Sequence, residues 1–257
     1  MMNPFETHGL RTLSPSSLNL FVEDPACWAL QYLVGVRGAS GSAAWRGNAL
    51  EFALLHGVRH PDADLAELER VGETQFQYQS AFSLEWATCR EREELLQSLP
   101  LGLAPLRRHG AITGCQSFVR LTIPDVEVPL VGYADYVFER SVVDLKSCRS
   151  LPDGPDPGDL RQVAFYARAL EREGWILYVS PEGVLDIPVR GEDAWRDCLA
   201  IAGEIRALLA AHAETDALAR SLTPRLPDTY YWSEAMRRRG REFWPGVWDQ
   251  PEAADRV

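Results

Sequence analysis

The spacing of apolar residues changes near residue 110, and this change restricts the fold more than any other feature of the sequence. Before it, apolar residues recur at helical spacing, as in a predicted helix from about Trp45 to Val58. After it, short β-rich runs flank a predicted helix from Leu160 to about Glu173. The sequence therefore predicts an α/β (α+β) chain with a largely helical N-terminal half and a central mixed sheet flanked by helices.

Capping residues and prolines predict where the helices begin and end. Ser14 followed by Pro15 predicts one helix start, and Asp159 predicts the start of the helix in the second half. Prolines predict breaks near Pro100 and Pro105. A segment rich in alanine and leucine predicts one long helix from Ala194 to about Ala219.

The composition excludes several classes of protein. No run approaches the ~18 apolar residues of a membrane span, and the N-terminus lacks the pattern of a secretory signal. The five cysteines are dispersed with no Cys-x-x-Cys, which favours a reducing cytoplasm over a disulfide framework or a zinc ribbon. A net charge of −11 predicts no broad attraction to nucleic acid. This net charge is still compatible with a local basic groove, or with carboxylates gathered around a metal ion.

One lysine stands among 26 basic residues, and it follows an aspartate on a predicted strand. Side chains alternate along a strand, so Asp144 and Lys146 share one face. If Glu139-Arg140 forms a two-residue turn, opposed positions sum to 279. Asp135 then lies opposite Asp144, and Lys146 lies opposite Tyr133.

Two opposed carboxylates repel each other unless a cation lies between them. Mg²⁺ prefers oxygen ligands and is typically held by one or two carboxylates. A lysine beside such an ion is a compact charge that can lose a proton, which a guanidinium effectively cannot. The pattern is therefore typical of metal-assisted hydrolysis, although an ordinary surface hairpin also fits it.

Two further helices contain polar residues at suitable positions. Glu51 lies in an otherwise apolar helix, where a buried carboxylate needs a partner or a metal. Gln162 and Tyr166 lie four residues apart on the helix after the hairpin, so they share a face that can hold phosphate oxygens. A partly exposed acid and an ordinary helix face are the alternative interpretations.

The order of these segments resembles the PD-(D/E)XK nuclease superfamily, and within it the RecB-like exonuclease branch with the Gln-x-x-x-Tyr motif. The matching segments are Leu13-Ser14-Pro15-Ser16-Ser17-Leu18, Asp24-Pro25-Ala26-Cys27, Arg46-Gly47 to Glu51, Gly132-Tyr133-Ala134-Asp135, Val143-Asp144-Leu145-Lys146 and Gln162-Val163-Ala164-Phe165-Tyr166. The resemblance implies a restriction-endonuclease-like fold. We expect one compact domain overall, comprising a helical part (1–110), a catalytic core (111–222) and a C-terminal extension rich in aromatic residues and arginine (223–257).

The resemblance also implies roles for individual residues. Asp135 and Asp144, with the backbone carbonyl of Leu145, would ligate one or two Mg²⁺ or Mn²⁺ ions. Lys146 would position or activate the attacking water. Glu51 falls where many RecB-like members have a histidine ligand, and it would complete the metal site.

The resemblance places Gln162 and Tyr166 at the DNA-phosphate side of the site. Iron–sulfur members of this branch have three cysteines near the end of the chain, whereas here no cysteine follows Cys198. We therefore expect no cluster.

Arginines supply the predicted DNA contacts. Arg37 and Arg46 flank a glycine-rich loop, and a second group near the C-terminus lies among aromatic residues: Arg237, Arg238, Arg239 and Arg241. Alternating cations and aromatic rings can follow phosphates and stack bases. A helix with a solvated basic face and an aromatic core face is an equal alternative.

The predicted function is a metal-dependent deoxyribonuclease that acts as an exonuclease in recombination or repair. Its partners would be DNA and a single-strand annealing protein or helicase, with no membrane, in the cytoplasm of a bacterium or a phage-infected host. Two alternatives stay open. One is a structure-specific or nicking endonuclease with the same site, and the other is a catalytically silent nuclease-fold protein that binds DNA or a partner.

Overall fold

The computed structural model describes residues 3–38, 41–81, 87–226 and 229–248. Its helices are α1 (Pro4–Thr7), α2 (Pro15–Glu23), α3 (Pro25–Trp28), a π-helical turn (Ala29–Leu33), α4 (Ser42–Arg59), α5 (Leu65–Ser80), α6 (Ala87–Arg107), α7 (Pro157–Leu170), α8 (Glu192–Ala210), α9 (Thr215–Ser221) and α10 (Glu234–Phe243). Its strands are β1 (Ile112–Leu121), β2 (Leu130–Phe138), β3 (Ser141–Ser147), β4 (Glu173–Ser180) and β5 (Gly183–Val189). Among these helices, none is both long and apolar enough to cross a bilayer.

The strands form one mixed sheet in the order β1-β2-β3-β4-β5. Strand β3 is antiparallel to β2 and parallel to β4, and β4 is antiparallel to β5. Parallel neighbours need a crossover connection, and α7 provides it between β3 and β4. The predicted α/β fold with a mixed sheet flanked by helices is confirmed.

The chain divides into two compact units, each assembled from separate segments. Unit 1 contains residues 1–39, 120–131 and 196–257, and unit 2 contains residues 40–119 and 132–195.

Two helix starts show how local chemistry sets the boundaries. Ser14 caps α2 in a reciprocal capping box with Ser17, as the Ser-Pro pattern predicts. The cap of α7 is Asp156, however, and not Asp159. Because Pro157 follows Asp156, its fixed φ suits the first helical position, and the helix begins three residues earlier than predicted. Asp159 is thereby placed inside the first turn.

Two other predicted boundaries are wrong. Pro100 and Pro105 lie inside the continuous helix α6. A proline within a helix costs about 3 kcal/mol, and here fully buried leucines of the same helix, including Leu99 and Leu106, pack into the core and offset that cost. The predicted helix from Ala194 to Ala219 is two helices, because α8 ends at Ala210 and α9 begins at Thr215.

Unit 2 has apolar side chains on both faces of its sheet. On one face, buried residues of α4, α5 and α6 pack against β2, β3 and β4. On the other face, Val163 of α7 packs with Ile176 and Tyr178 of β4. Strand β3 contributes Val143 to the first face, so the alternate residues Asp144 and Lys146 point towards α7.

In unit 1, a single carboxylate organises segments that are distant in sequence. Asp24 is fully buried, and its Oδ1 caps α3 by accepting from the backbone N–H of Ala26 and Cys27. Its Oδ2 accepts from the backbone of Arg225 and from Nε1 of Trp232 at 2.9 Å. These donors satisfy the buried charge and fix the C-terminal segment to the N-terminal helices of the same unit.

Candidate active site

Strands β2 and β3 bring two carboxylates together. Tyr136 lies opposite Val143 and Val137 opposite Val142, so opposed positions sum to 279 as predicted. The next positions in this register are Asp135 and Asp144. Asp135 Oδ2 accepts from the backbone N–H of Leu145 at 2.9 Å, which anchors this carboxylate on β3.

Lys146 is the centre of a polar network. Its Nζ lies 2.8 Å from Asp144 Oδ2 and 3.1 Å from Asp159 Oδ1, and it donates to Gln162 Oε1 at 3.0 Å. Five ionisable residues therefore group on unit 2, and we call them the acid–lysine site: Glu51, Asp135, Asp144, Lys146 and Asp159. Four acids therefore surround a single base.

Helix α7 presents three polar residues to this site. Asp159, Gln162 and Tyr166 lie at spacings of three and four, so they share one helix face. Gln162 Nε2 donates to Asp144 Oδ1 at 2.9 Å and to the Tyr166 hydroxyl at 3.1 Å. The hydroxyl of Tyr178 donates to Asp159 Oδ2 at 2.7 Å and holds that carboxylate in place. Asp159 was missed as a site residue because its position beside a proline–glycine loop also suits a helix cap.

Glu51 reaches the site through a glutamine on β1. The amide of Gln116 donates to Glu51 Oε1 and, at 3.0 Å, to Asp135 Oδ1. Gln116 has a backbone φ of 42°, which is uncommon for a residue other than glycine and is frequent at functional sites. No sequence pattern singles out Gln116, since its contacts join segments 65 and 19 residues apart.

Burial and mutual repulsion perturb the acids. Burial raises the pKa of Asp135 well above the ordinary carboxyl value, and the neighbouring Asp144 and Glu51 carboxylates raise it further. Burial also raises the pKa values of Glu51 and Asp144. Burial opposes the charged form of Lys146, but the Asp144 and Asp159 carboxylates outweigh it, and the net pKa of Lys146 is raised. The lysine is therefore held as an ammonium ion.

The acids of this site have the chemistry of a hard-cation site. Asp144 is 1 % exposed, and its Oδ2 has the Lys146 ammonium 2.8 Å away. Carboxylate oxygens suit Mg²⁺. In the described residues, no three His, Cys, Asp or Glu side chains converge as a metal site in their present positions. The Gln116 amide and the Lys146 ammonium both lie against these carboxylates, and the ammonium supplies part of the positive charge that a cation would supply.

Arg46, a predicted DNA contact, is buried in the structure. It is 3 % exposed, donates through Nε to Ser147 Oγ at 3.1 Å, and pairs with Glu91 and Glu94 of α6. Arg149 joins the same acids. We call this group the buried ion cluster, although its Arg149 side chain is exposed: Arg46, Glu91, Glu94 and Arg149. Because its guanidinium is enclosed, Arg46 is not available to a phosphate in this arrangement, and it holds the end of β3 instead.

The other predicted DNA-contacting arginines belong to unit 1. Arg37, Arg238 and Arg241 are exposed, whereas Arg239 pairs with Glu242 and lies over the ring of Phe243. The nearby aromatic residues Trp232, Phe243 and Trp244 are buried. The aromatic side of α10 is therefore a core face, and these three rings are not accessible for base stacking.

Comparison with known protein families identifies the superfamily of the chain. The model of the PD-(D/E)XK nuclease superfamily matches residues 12–191, which is more than half of the chain. The chain belongs to this superfamily. Membership in the PD-(D/E)XK superfamily indicates a nuclease, that is, a hydrolase that binds nucleic acid, and these nucleases typically use divalent metals such as Mg²⁺.

Other comparisons are less informative. No curated protein matches the chain. A solved structure described as "Crystal structure of SSO0001" is similar, with 17 % identity, a TM-score of 0.35, and coverage of 63 % of this chain and 84 % of that one.

Proposed function

We propose that this protein is a metal-dependent DNA exonuclease of the RecB-like branch with the Gln-x-x-x-Tyr motif. One observation supports this most strongly: Lys146 Nζ lies between Asp144 and Gln162, and Gln162 in turn contacts Tyr166. The acid, the lysine and the two residues of the helix motif therefore form one connected site.

Glu51, Asp135, Asp144 and the Leu145 carbonyl would hold one or two Mg²⁺ or Mn²⁺ ions. A bound ion polarises a phosphodiester and lowers the pKa of water, which is the chemistry needed for hydrolysis at neutral pH. To receive an ion, Glu51 and Asp135 must exchange the amide of Gln116 for the metal. An iron–sulfur cluster has no place in this proposal.

The chain's own residues would then orient the substrate. The Lys146 ammonium, fixed by Asp144, is placed to attract the negative charge that develops on the phosphate oxygens. Gln162 and Tyr166 can donate hydrogen bonds to phosphate from the same helix face. Since the lysine is held in its charged form, we favour charge stabilisation and water orientation over proton abstraction as its role.

The biological setting follows from the same assignment. The proposed role is recombination or repair of DNA in cooperation with a single-strand annealing protein or a helicase. We also propose a phage origin and a cytoplasmic location. Exposed arginines of unit 1, including Arg37, Arg238 and Arg241, are the proposed contacts to the DNA backbone.

Digestion of labelled DNA tests the proposal. The wild-type protein with Mg²⁺ should shorten end-labelled linear DNA, leave circular DNA intact, and do nothing in chelator. Asp144→Asn and Lys146→Met should each lower the rate by about 10²–10⁴-fold, because each removes part of the reacting site. Glu93→Gln, which removes an exposed charge on α6, should leave the rate unchanged.

Three results would contradict the proposal in different ways. Undiminished cleavage by Asp144→Asn would show that the site is elsewhere. Cleavage of circular DNA would identify an endonuclease. Absence of cleavage, together with no divalent binding by calorimetry, would identify a silent nuclease fold.

A further inference from the structure

Two aromatic side chains lie exposed on neighbouring strands of unit 2. Phe118 of β1 and Tyr133 of β2 are each 57 % exposed, and their ring centroids are 5.5 Å apart. Further along β2, Tyr136 and Phe138 are fully buried. Large rings usually occupy the interior, so an exposed pair in mutual contact is a surface that remains available for a ligand.

The pair lies beside the acid–lysine site. Tyr133 precedes Asp135 by two residues along β2, so their backbones are about 7 Å apart. Phe118 follows Gln116 by two residues, and the Gln116 amide contacts Asp135. Gly132, the residue before Tyr133, allows α7 to approach β2 closely, since a Cβ at this position would lie 2.9 Å from a ring carbon of Tyr166.

The chemistry of the two rings indicates what they would bind. The faces of the two rings have no formal charge and no hydrogen-bond donor for a phosphate, whereas a nucleobase has a flat π-face that stacks on aromatic rings. Bases within a duplex are already stacked on each other, so only an unpaired base is free to bind in this way. Since the Tyr133 backbone lies about 7 Å from that of Asp135, this surface is within reach of the base of a nucleotide whose phosphate lies at the carboxylates.

We propose that Phe118 and Tyr133 form a stacking platform for an unpaired base adjacent to the scissile phosphodiester. The proposal rests on the nuclease function proposed above and specifies its substrate as a single-stranded DNA end. A purely structural cross-strand pair is the competing explanation, and it would contribute about 0.2–1 kcal/mol to folding without affecting binding.

Binding measured without catalysis separates these explanations. Fluorescence anisotropy of a labelled oligothymidylate in chelator would be compared for the wild type and the double variant Phe118→Leu/Tyr133→Leu. We expect the variant to bind about 5- to 150-fold more weakly, the range for loss of one stacked base. Tyr133→Phe keeps the ring and should bind as the wild type does. Tyr78→Leu, at a tyrosine that is 80 % exposed on α5, should also leave binding unchanged.

An abasic oligonucleotide of the same length provides the decisive control. If the rings contact bases, the wild type and the double variant should bind it equally. Equal binding of the oligothymidylate by both proteins, absence of wild-type binding, or equal losses for the normal and abasic strands would each overturn the platform. Because no cleavage is required, a stacking effect in a protein that fails the digestion assay would retain the platform while refuting the nuclease.

Discussion

Two groups of charged residues meet at consecutive residues of β3, and they differ in the ratio of positive to negative charges. The buried ion cluster contacts Ser147 and pairs two arginines with two glutamates. The acid–lysine site surrounds the preceding residue, Lys146, and sets one lysine against four acids. Both are in unit 2, and both take charged groups out of water.

The difference distinguishes a structural role from a functional one. In the balanced cluster, opposite charges offset the cost of desolvation, so the group is complete without a ligand. In the unbalanced site, burial and neighbouring acids raise the carboxyl pKa values, so the folded protein lacks positive charge there. A site that is destabilised until a cation binds is typical of function.

Breaking the balanced cluster should have the largest effect on stability. Arg46→Met leaves the two buried glutamates with only the exposed Arg149 and Arg90 as partners, and we expect the free energy of unfolding to fall by about 3–5 kcal/mol. Arg90→Met provides the control, because Arg90 pairs with Glu94 from an exposed position and its loss should cost under about 0.5 kcal/mol. Urea denaturation of both variants measures the difference. A cost at Arg46 no larger than at Arg90 would show that the cluster is not structural.

Removing a negative charge from the acid–lysine site should raise the stability of the fold rather than lower it. Asp135→Asn keeps the shape of the side chain and removes one repelling charge. Its folded pKa is raised, so the charged form opposes folding at pH 7, and we expect the variant to be about 0.5–2 kcal/mol more stable in chelator. In Mg²⁺ the order should reverse, because the wild type gains stability from the ion and the variant does not. Thermal unfolding with and without Mg²⁺ checks this, and a destabilised variant in chelator would contradict the comparison.

The half-buried His109 should give the smallest effect on stability. Burial lowers the pKa of His109, whose Nδ1 lies 2.9 Å from Ser141 Oγ. Below pH 6.5 the unfolded chain therefore binds more protons than the folded one, and stability falls as the pH drops towards the folded pKa. We expect a loss of less than about 1 kcal/mol between pH 7 and 5.5 that is absent in His109→Gln. Identical pH profiles for the two proteins would contradict this expectation.

The sequence predicts the parts of the site that depend on local rules. A two-residue connection is sufficient to set the register in which Tyr136 lies opposite Val143, and helical spacing is sufficient to put Gln162 and Tyr166 on one face. Both statements need only residues close together in the chain.

The remaining parts depend on contacts between distant segments. Arg46 resembles a surface arginine until Glu91 and Glu94, more than 40 residues away, enclose it. The prolines of α6 indicate breaks when considered alone, and the helix persists because its leucines are buried by other helices. The bridge made by Gln116 likewise depends on how β1 meets α4.

The contacts of Asp24 have a consequence for synthesis on the ribosome. Its donors at Arg225 and Trp232 are translated about 200 residues later, whereas every segment of unit 2 has been made once residue 195 is complete. Domains generally fold as units while the chain emerges. Unit 2 can therefore fold first around its own core, and Asp24 receives its last hydrogen bonds only when the final part of the chain arrives.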